Sequence, residues 1–187
     1  MAAADCILVS GPSRGGKSEW AEHLVAQLGD AYTVVYLATG GSHGEDPAWQ
    51  QRLALHRQRR PSSWQLREVG ANLVEALLPT AALAQQLVLL DSLGSWVAHH
   101  LALPEVDWLG LQADFLKLLA ERRPPTVLVA EEVGWGVVPP TALGGLFRDR
   151  CGRLTRETAA LCGQRWLVLD GQALPLHQLA TPLPPRR

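Results

Sequence analysis

The chain has 187 residues, 47% of them hydrophobic and 19% charged, a composition that supplies a full core and excludes long intrinsic disorder. Its 17 Lys+Arg against 18 Asp+Glu leave a formal net charge of -1, so no chain-wide basic field gathers nucleic acid or anionic lipid. Any anion is therefore bound locally, and no nucleic-acid partner is expected.

Met1 to Asp5 lacks a basic n-region, and the apolar stretch Cys6 to Val9 is too short for a signal-peptide core. No run approaches the roughly 20 apolar residues of a bilayer span. The expectation is a cytoplasmic protein without a transmembrane segment. Cys6, Cys151 and Cys162 do not have metal-ligand spacing and read as small core hydrophobes in a reducing compartment.

In chain order, Cys6 to Val9 reads as the first strand. Trp20, Ala21, Leu24, Val25 and Leu28 then recur at helical spacing, with Gly29-Asp30 as a stop. Thr33 to Ala38 is a second strand. A helix is expected from about Pro47 to Arg59, with Asp46-Pro47 as cap and first-turn proline and Pro61 beyond its end. Leu87 to Leu90, Thr126 to Ala130 and Trp166 to Leu169 are further strands. Between them, helices are expected over Leu109 to Arg122 and over Thr141 to Leu161, the latter with an interruption at Gly144-Gly145 or Gly152. The stretch from Thr181 to Arg187 reads as a frayed tail.

Short apolar runs alternating with helical stretches define an α/β class, with a mostly parallel central sheet flanked by helices. Near-continuous apolar strands are what burial on both faces demands. No internal repeat or linker divides the chain, so 1–187 reads as a single domain.

Directly after the first strand stands Gly11-Pro12-Ser13-Arg14-Gly15-Gly16-Lys17-Ser18, which satisfies G-x-x-x-x-G-K-[ST] and opens the first helix. This is a P-loop. Its glycines let the backbone turn so that successive N–H groups converge on phosphate oxygens at a helix N-terminus. Lys17 would reach the terminal phosphates, and the Ser18 hydroxyl would ligate Mg2+. Only Lys17 and Lys117 are lysines, against 15 arginines among the 17 Lys+Arg, so one of the two sits where phosphate chemistry wants it.

P-loop proteins place an acid at the end of a neighbouring strand to hold the metal. Asp91, after Leu87-Val88-Leu89-Leu90, is the first choice; Glu131 and Glu132 end another strand in the same way. Neither lysine stands in N-K-x-D, so a guanine-specific switch GTPase is disfavoured relative to a kinase or transferase.

Arg52 to Pro61 places His56 beside Arg57, Arg59 and Arg60. Guanidinium groups suit polyphosphate oxygens, and their charge depresses the pKa of an adjacent imidazole and keeps it neutral and nucleophilic. Attack on an α-phosphate would expel pyrophosphate and leave a nucleotidyl-histidine. By spacing alone, a solvated basic helix end is the favoured reading.

The chain resembles the bifunctional adenosylcobinamide kinase/adenosylcobinamide-phosphate guanylyltransferase family. The matching stretches are Val9 to Ser18, Tyr36 to Thr39, Arg52 to Pro61 with Trp64, Leu90 to Leu93 with Trp96, Glu132 to Pro139, and Phe147 to Asp149 with Gly152 to Leu154. The resemblance implies a RecA-like P-loop fold and two activities: phosphorylation of adenosylcobinamide by ATP or GTP, then transfer of GMP from GTP to the resulting phosphate, giving adenosyl-GDP-cobinamide. It also implies that His56 is the guanylylated residue, that Arg57, Gln58, Arg59, Arg60 and Glu68 contact the guanine nucleotide, and that Ala38, Thr39, Gly40 and Asp91 are further nucleotide positions. A homo-oligomer, such as a trimer, is implied in the same way. Two alternatives stand beside this reading: a single-activity P-loop kinase and a nucleotide-responsive binding module.

The remaining polar and aromatic residues carry less. His99 and His100 are adjacent and do not face one another on a helix, so packing roles are expected rather than a metal pair. Trp135, between Gly134 and Gly136, is the aromatic most suited to a loop that closes over a bulky ligand.

Overall fold

A computed structural model describes residues 3–28, 31–41, 59–80 and 82–183. Strands run over Ala3–Gly11 (β1), Thr33–Ala38 (β2), Gln65–Glu68 (β3), Gln86–Asp91 (β4), Thr126–Glu131 (β5), Cys162–Leu169 (β6) and Gln172–Pro175 (β7). Helices cover Lys17–Leu28 (α1), Leu73–Leu77 (α2), Leu93–His99 (α3), Glu105–Glu121 (α4), Ala142–Leu161 (α5) and Leu176–Leu179 (α6). The strands form a single seven-stranded sheet in the order β3-β2-β4-β5-β1-β6-β7. All neighbours are parallel except β6 and β7. β5 separates the P-loop strand β1 from β4. The expected mostly parallel α/β sheet is present.

Alternation along the strands builds a core on each face. On one face, Cys6, Leu8, Val35, Leu37, Val88, Leu90, Leu128 and Ala130 pack against Leu73, Trp96, Trp108, Phe115 and Leu154 from α2, α3, α4 and α5. On the other, Ile7, Val9, Val34, Tyr36, Leu87, Leu89, Val127 and Val129 pack against Ala21, Leu24 and Val25 of α1. The strands are continuous apolar runs because side chains pointing either way leave water. All three cysteines are free and buried within this core, as expected. Burial pushes the Cys151 thiol up to about 12, so no reactive thiolate forms there at neutral pH.

The elements differ from the sequence expectation at identifiable places. α4 starts at Glu105, four residues before Leu109, because Pro104 stands at its N-cap and Glu105 and Asp107 fill a polar first turn. α5 runs unbroken through Gly144-Gly145 and Gly152, capped by the Thr141 hydroxyl accepting from the Gly144 N–H at 3.1 Å. β6 begins at Cys162 rather than Trp166, and β1 extends the expected Cys6 to Val9 at both ends. Strands β3 and β7 were not expected. β7 returns through Asp170-Gly171, whose φ values of 51° and 71° make a two-residue hairpin turn. The helix expected from Pro47 lies, apart from Arg59, outside the described residues, as does the Gly29-Asp30 stop. Among the described residues, no helix is long and apolar enough to cross a membrane.

Candidate functional site

In a parallel sheet the strand ends and the helix N-termini that follow them collect at one edge, and here that edge carries the P-loop. β1 ends at Gly11, where φ is 154° and an added Cβ would lie 2.2 Å from the Val168 carbonyl oxygen. Only glycine fits that approach. Gly15 donates its N–H to the Pro12 carbonyl at 3.2 Å, and Gly16, at φ 91°, hands the chain into α1. Ser13 and Arg14 are exposed at the loop's outer turn, with Arg14 at φ 60°. Lys17 opens α1, is buried, and donates from Nζ to the Pro12 carbonyl at 2.8 Å, which draws the ammonium back across its own loop. Ser18 follows, half-buried, in the first turn of α1.

Gly11→Ala is expected to lower unfolding stability by at least about 2 kcal/mol, since both the backbone conformation and a core carbonyl oppose a methyl group. Urea denaturation checks this against Gly136→Ala, where an added Cβ meets nothing within 4 Å and no change is expected.

The neighbouring strand ends bring further residues alongside. Ala38 is level with Glu68 on one side and Asp91 on the other, so β3, β2 and β4 end in one row. Asp91 is half-buried, and Tyr36 Oη donates to its Oδ2 at 2.6 Å. Burial first, and the Asp91 charge second, push the Tyr36 phenol well above its ordinary range, so it remains a proton donor. The Arg60 guanidinium lies 3.8 Å from the Tyr36 ring centroid. Arg59 pairs with Glu19 at 2.9 Å and with Glu22 at 3.1 Å, both on α1.

Thr39 is fully buried. Its hydroxyl donates to the Ser92 carbonyl at 2.5 Å and accepts from the Ser92 N–H at 2.8 Å. It fixes the Asp91-Ser92 junction, which is a cis peptide. Gly40 follows, half-buried, and Glu68 is exposed at the end of β3. Glu131 is engaged by the Ser92 hydroxyl and accepts the Gly94 N–H at 2.8 Å, so its carboxylate secures the first turn of α3. Glu132 accepts from the Gly134 N–H at 3.1 Å while its own N–H donates to the Gly11 carbonyl at 2.7 Å. Of the three strand-end acids, Asp91 is therefore the one whose carboxylate contacts only a side-chain donor from the sheet among the bonds described.

His99 and His100 have the packing roles expected of them: their Nε2 atoms bond the carbonyls of Thr39 at 2.9 Å and Ala71 at 3.1 Å. Trp135 is 57% exposed and Val137 95%, on the segment that leaves β5 beside Gly11. His56, Arg57 and Gln58 lie outside the described residues. Tyr36, Glu19, Glu22 and Ser92, which sequence reasoning does not single out, contact the expected site residues Asp91, Arg59 and Thr39; a lone phenol in an otherwise aliphatic β2 is the available signal for the first.

Residues 7–176 match the family model described as CobU, cobinamide kinase / cobinamide phosphate guanyltransferase. The chain belongs to this family. Among relatives, the bifunctional adenosylcobalamin biosynthesis protein CobU of Escherichia coli is 35% identical over 179 residues, covering 88% of this chain and 96% of that protein. The protein of the same name from Salmonella typhimurium gives the same identity and coverage. The bifunctional adenosylcobalamin biosynthesis protein CobP of Pseudomonas aeruginosa is 33% identical over 170 residues, with coverage of 90% and 95%. The crystal structure of flagellar accessory protein FlaH from Methanocaldococcus jannaschii superposes with a TM-score of 0.50 at 14% identity, covering 92% of this chain and 76% of that one. That likeness concerns the fold alone, which is RecA-like. Membership in the cobinamide kinase/guanyltransferase family places the chain among nucleotide-using enzymes of adenosylcobalamin biosynthesis.

Proposed function

We propose that this enzyme phosphorylates the hydroxyl of adenosylcobinamide with ATP or GTP, then transfers GMP from GTP to the new phosphate through a guanylyl-His56 intermediate. The observation that carries the proposal is that Arg59, three positions after His56 in sequence, pairs with Glu19 and Glu22 of the phosphate-loop helix α1. A basic segment serving only solubility has no need of that address.

In the kinase half, P-loop N–H groups from Gly11 to Ser18 orient the polyphosphate, and Lys17 leaves the Pro12 carbonyl for the terminal phosphates. In the transfer half, a neutral His56 nitrogen attacks the α-phosphorus of GTP. A P–N bond forms as the bond to the pyrophosphate oxygen breaks, and pyrophosphate departs. A phosphate oxygen of cobinamide phosphate then attacks the same phosphorus, and the P–N electron pair returns to the imidazole. Arg57, Gln58, Arg60 and Glu68 are proposed guanine-nucleotide contacts, and Ala38 to Gly40 shape the wall beside them. The Trp135 segment, apolar and beside Gly11, is the proposed face for the corrinoid.

The donor set suits Mg2+, a hard ion bound through one or two protein oxygens, waters and substrate phosphates. Asp91 offers a carboxylate oriented by Tyr36, and Ser18 offers a hydroxyl on the first turn of α1. When bound there, Mg2+ would offset negative charge on the polyphosphate.

The test is incubation of the protein with adenosylcobinamide, Mg2+ and α-labelled GTP, with corrinoids followed by mass and protein by label. The expected result is a phosphorylated and then a guanylylated corrinoid, with an acid-labile, alkali-stable label on the protein. Phosphorylated corrinoid without a protein adduct leaves only a kinase. Saturable GTP binding with neither product leaves a binding module.

A further inference from the structure

Tyr36 is the one aromatic side chain of β2 and is 2% exposed. Its neighbour across the sheet is Leu89, and Asp91 stands two positions further along β4 on the same face. Two strand residues rise about 6.6 Å, a gap that a phenol laid along the sheet closes. Tyr36 Oη donates to Asp91 Oδ2 at 2.6 Å. The ring has little room to turn away: it belongs to the core cluster of Val34, Leu87 and Leu89, and the Arg60 guanidinium lies 3.8 Å from its centroid. A packed ring gives its hydroxyl one direction.

That bond divides the two oxygens of Asp91. Oδ2 is taken by a buried donor, whereas Oδ1 has no hydrogen-bond partner among the described residues, and Asp91 itself is only half-buried. The acid at the end of β5 does not make up the difference, because Glu131 commits one oxygen to the Ser92 hydroxyl and the other to the Gly94 N–H. The end of β4 therefore offers a cation a single carboxylate oxygen. Divalent ions differ in how well that suits them. Mg2+ dehydrates reluctantly and is satisfied by one oxygen beside its own waters, while Ca2+ takes more oxygens in looser geometry and accepts both from one carboxylate.

We propose that Tyr36 is a positioning residue that selects Mg2+ over Ca2+ by holding one Asp91 oxygen out of coordination. The assignment rests on the reading of Asp91 as a metal residue given above. Tyr36→Phe removes the phenolic oxygen alone and keeps the ring, its contact with Arg60 and its place in the core. Asp91 Oδ2 is then free. A second free oxygen turns a site for a hydrated ion into one that also accepts an ion needing both.

The experiment reads ion binding directly. Mn2+ is bound to the protein together with a β,γ-imido analogue of ATP, followed by its electron paramagnetic resonance signal, and displaced with Mg2+ or with Ca2+. The quantity compared is the ratio of the two half-displacing concentrations. In Tyr36→Phe that ratio is expected to move about tenfold toward Ca2+ relative to wild type, because the variant adds an oxygen that Ca2+ uses and Mg2+ does not need. Ca2+ should also inhibit ATP-dependent phosphorylation of adenosylcobinamide at correspondingly lower concentration. An unchanged ratio, or a shift toward Mg2+, overturns the proposal. So does equal weakening of both ions, up to loss of Mn2+ binding, which would mark a structural role for the phenol. Asp91→Asn tests the underlying reading separately: it should weaken Mn2+ binding, and undiminished affinity in that variant removes Asp91 from the metal site, a result distinct from any ratio measured in Tyr36→Phe.

Discussion

Lys17→Ala is expected to eliminate phosphorylation and guanylyl transfer together, with each rate down at least about 10³-fold, because both steps develop charge on the same polyphosphate and this ammonium answers it. The chain offers no substitute among its lysines. Lys117 is on α4, on the opposite side of the sheet from α1, and is exposed. Lys17 sits on the first residue of α1, buried, and held by the Pro12 carbonyl at 2.8 Å. That bond is local, to the loop itself, so exchanging it for bonds to phosphate moves little else. Lys17→Arg should fail to restore activity, since a compact point charge is required in a tight loop and a planar fork is not its equivalent. Initial rates for both corrinoid products, with the melting temperature as a check that the fold survives, decide the matter. Either activity persisting near wild type in Lys17→Ala would remove the P-loop from the mechanism.

His56→Ala is expected to divide the activities. Protein labelling by α-labelled GTP should vanish and guanylylated corrinoid should drop below detection, whereas ATP-dependent phosphorylation should remain within a few-fold, since the P-loop, Asp91 and Tyr36 are untouched. The covalent step needs an imidazole lone pair. Alanine supplies no electron pair, and the other described histidines are engaged elsewhere: His23 stacks on Trp20 with its Nε2 3.0 Å from Gln27 Nε2, His99 and His100 are bonded to backbone carbonyls, and His177 bonds the Arg165 carbonyl at 3.0 Å. GMP transfer retained by the variant would mean direct attack by the corrinoid phosphate on GTP, and the two-step route would fall.

Much of this was legible from residue order because the responsible signals are local. The P-loop spacing, the apolar runs of β1, β2, β4 and β5, and the period of α1 each depend on neighbours within a few positions. β3 was illegible: its four residues Gln65-Leu66-Arg67-Glu68 are all exposed and join the sheet through backbone bonds to β2. Asp170-Gly171 did announce the β6–β7 hairpin, and the short, Pro-ended return strand hid it. Within the site, what a side chain does depended on register between strands distant in sequence. Glu131 and Asp91 are both acids after apolar strands; one secures α3 and the other receives the Tyr36 hydroxyl only because β2 and β4 are side by side. Thr39, read as a nucleotide position, is fully buried against Ser92 for the same reason.

The phosphate loop rests on the last long strand of the sheet. Gly11 and Gly15 both approach the Val168 carbonyl, with added Cβ atoms 2.2 and 3.3 Å away, and Gly16 faces the Val168 side chain. A nascent chain that has emerged only as far as α5 therefore has the complete cradle motif without the floor that shapes it. The close approach of the loop glycines to Val168 exists only with β6 docked. The cradle's shape is thus set by a strand remote from it in sequence.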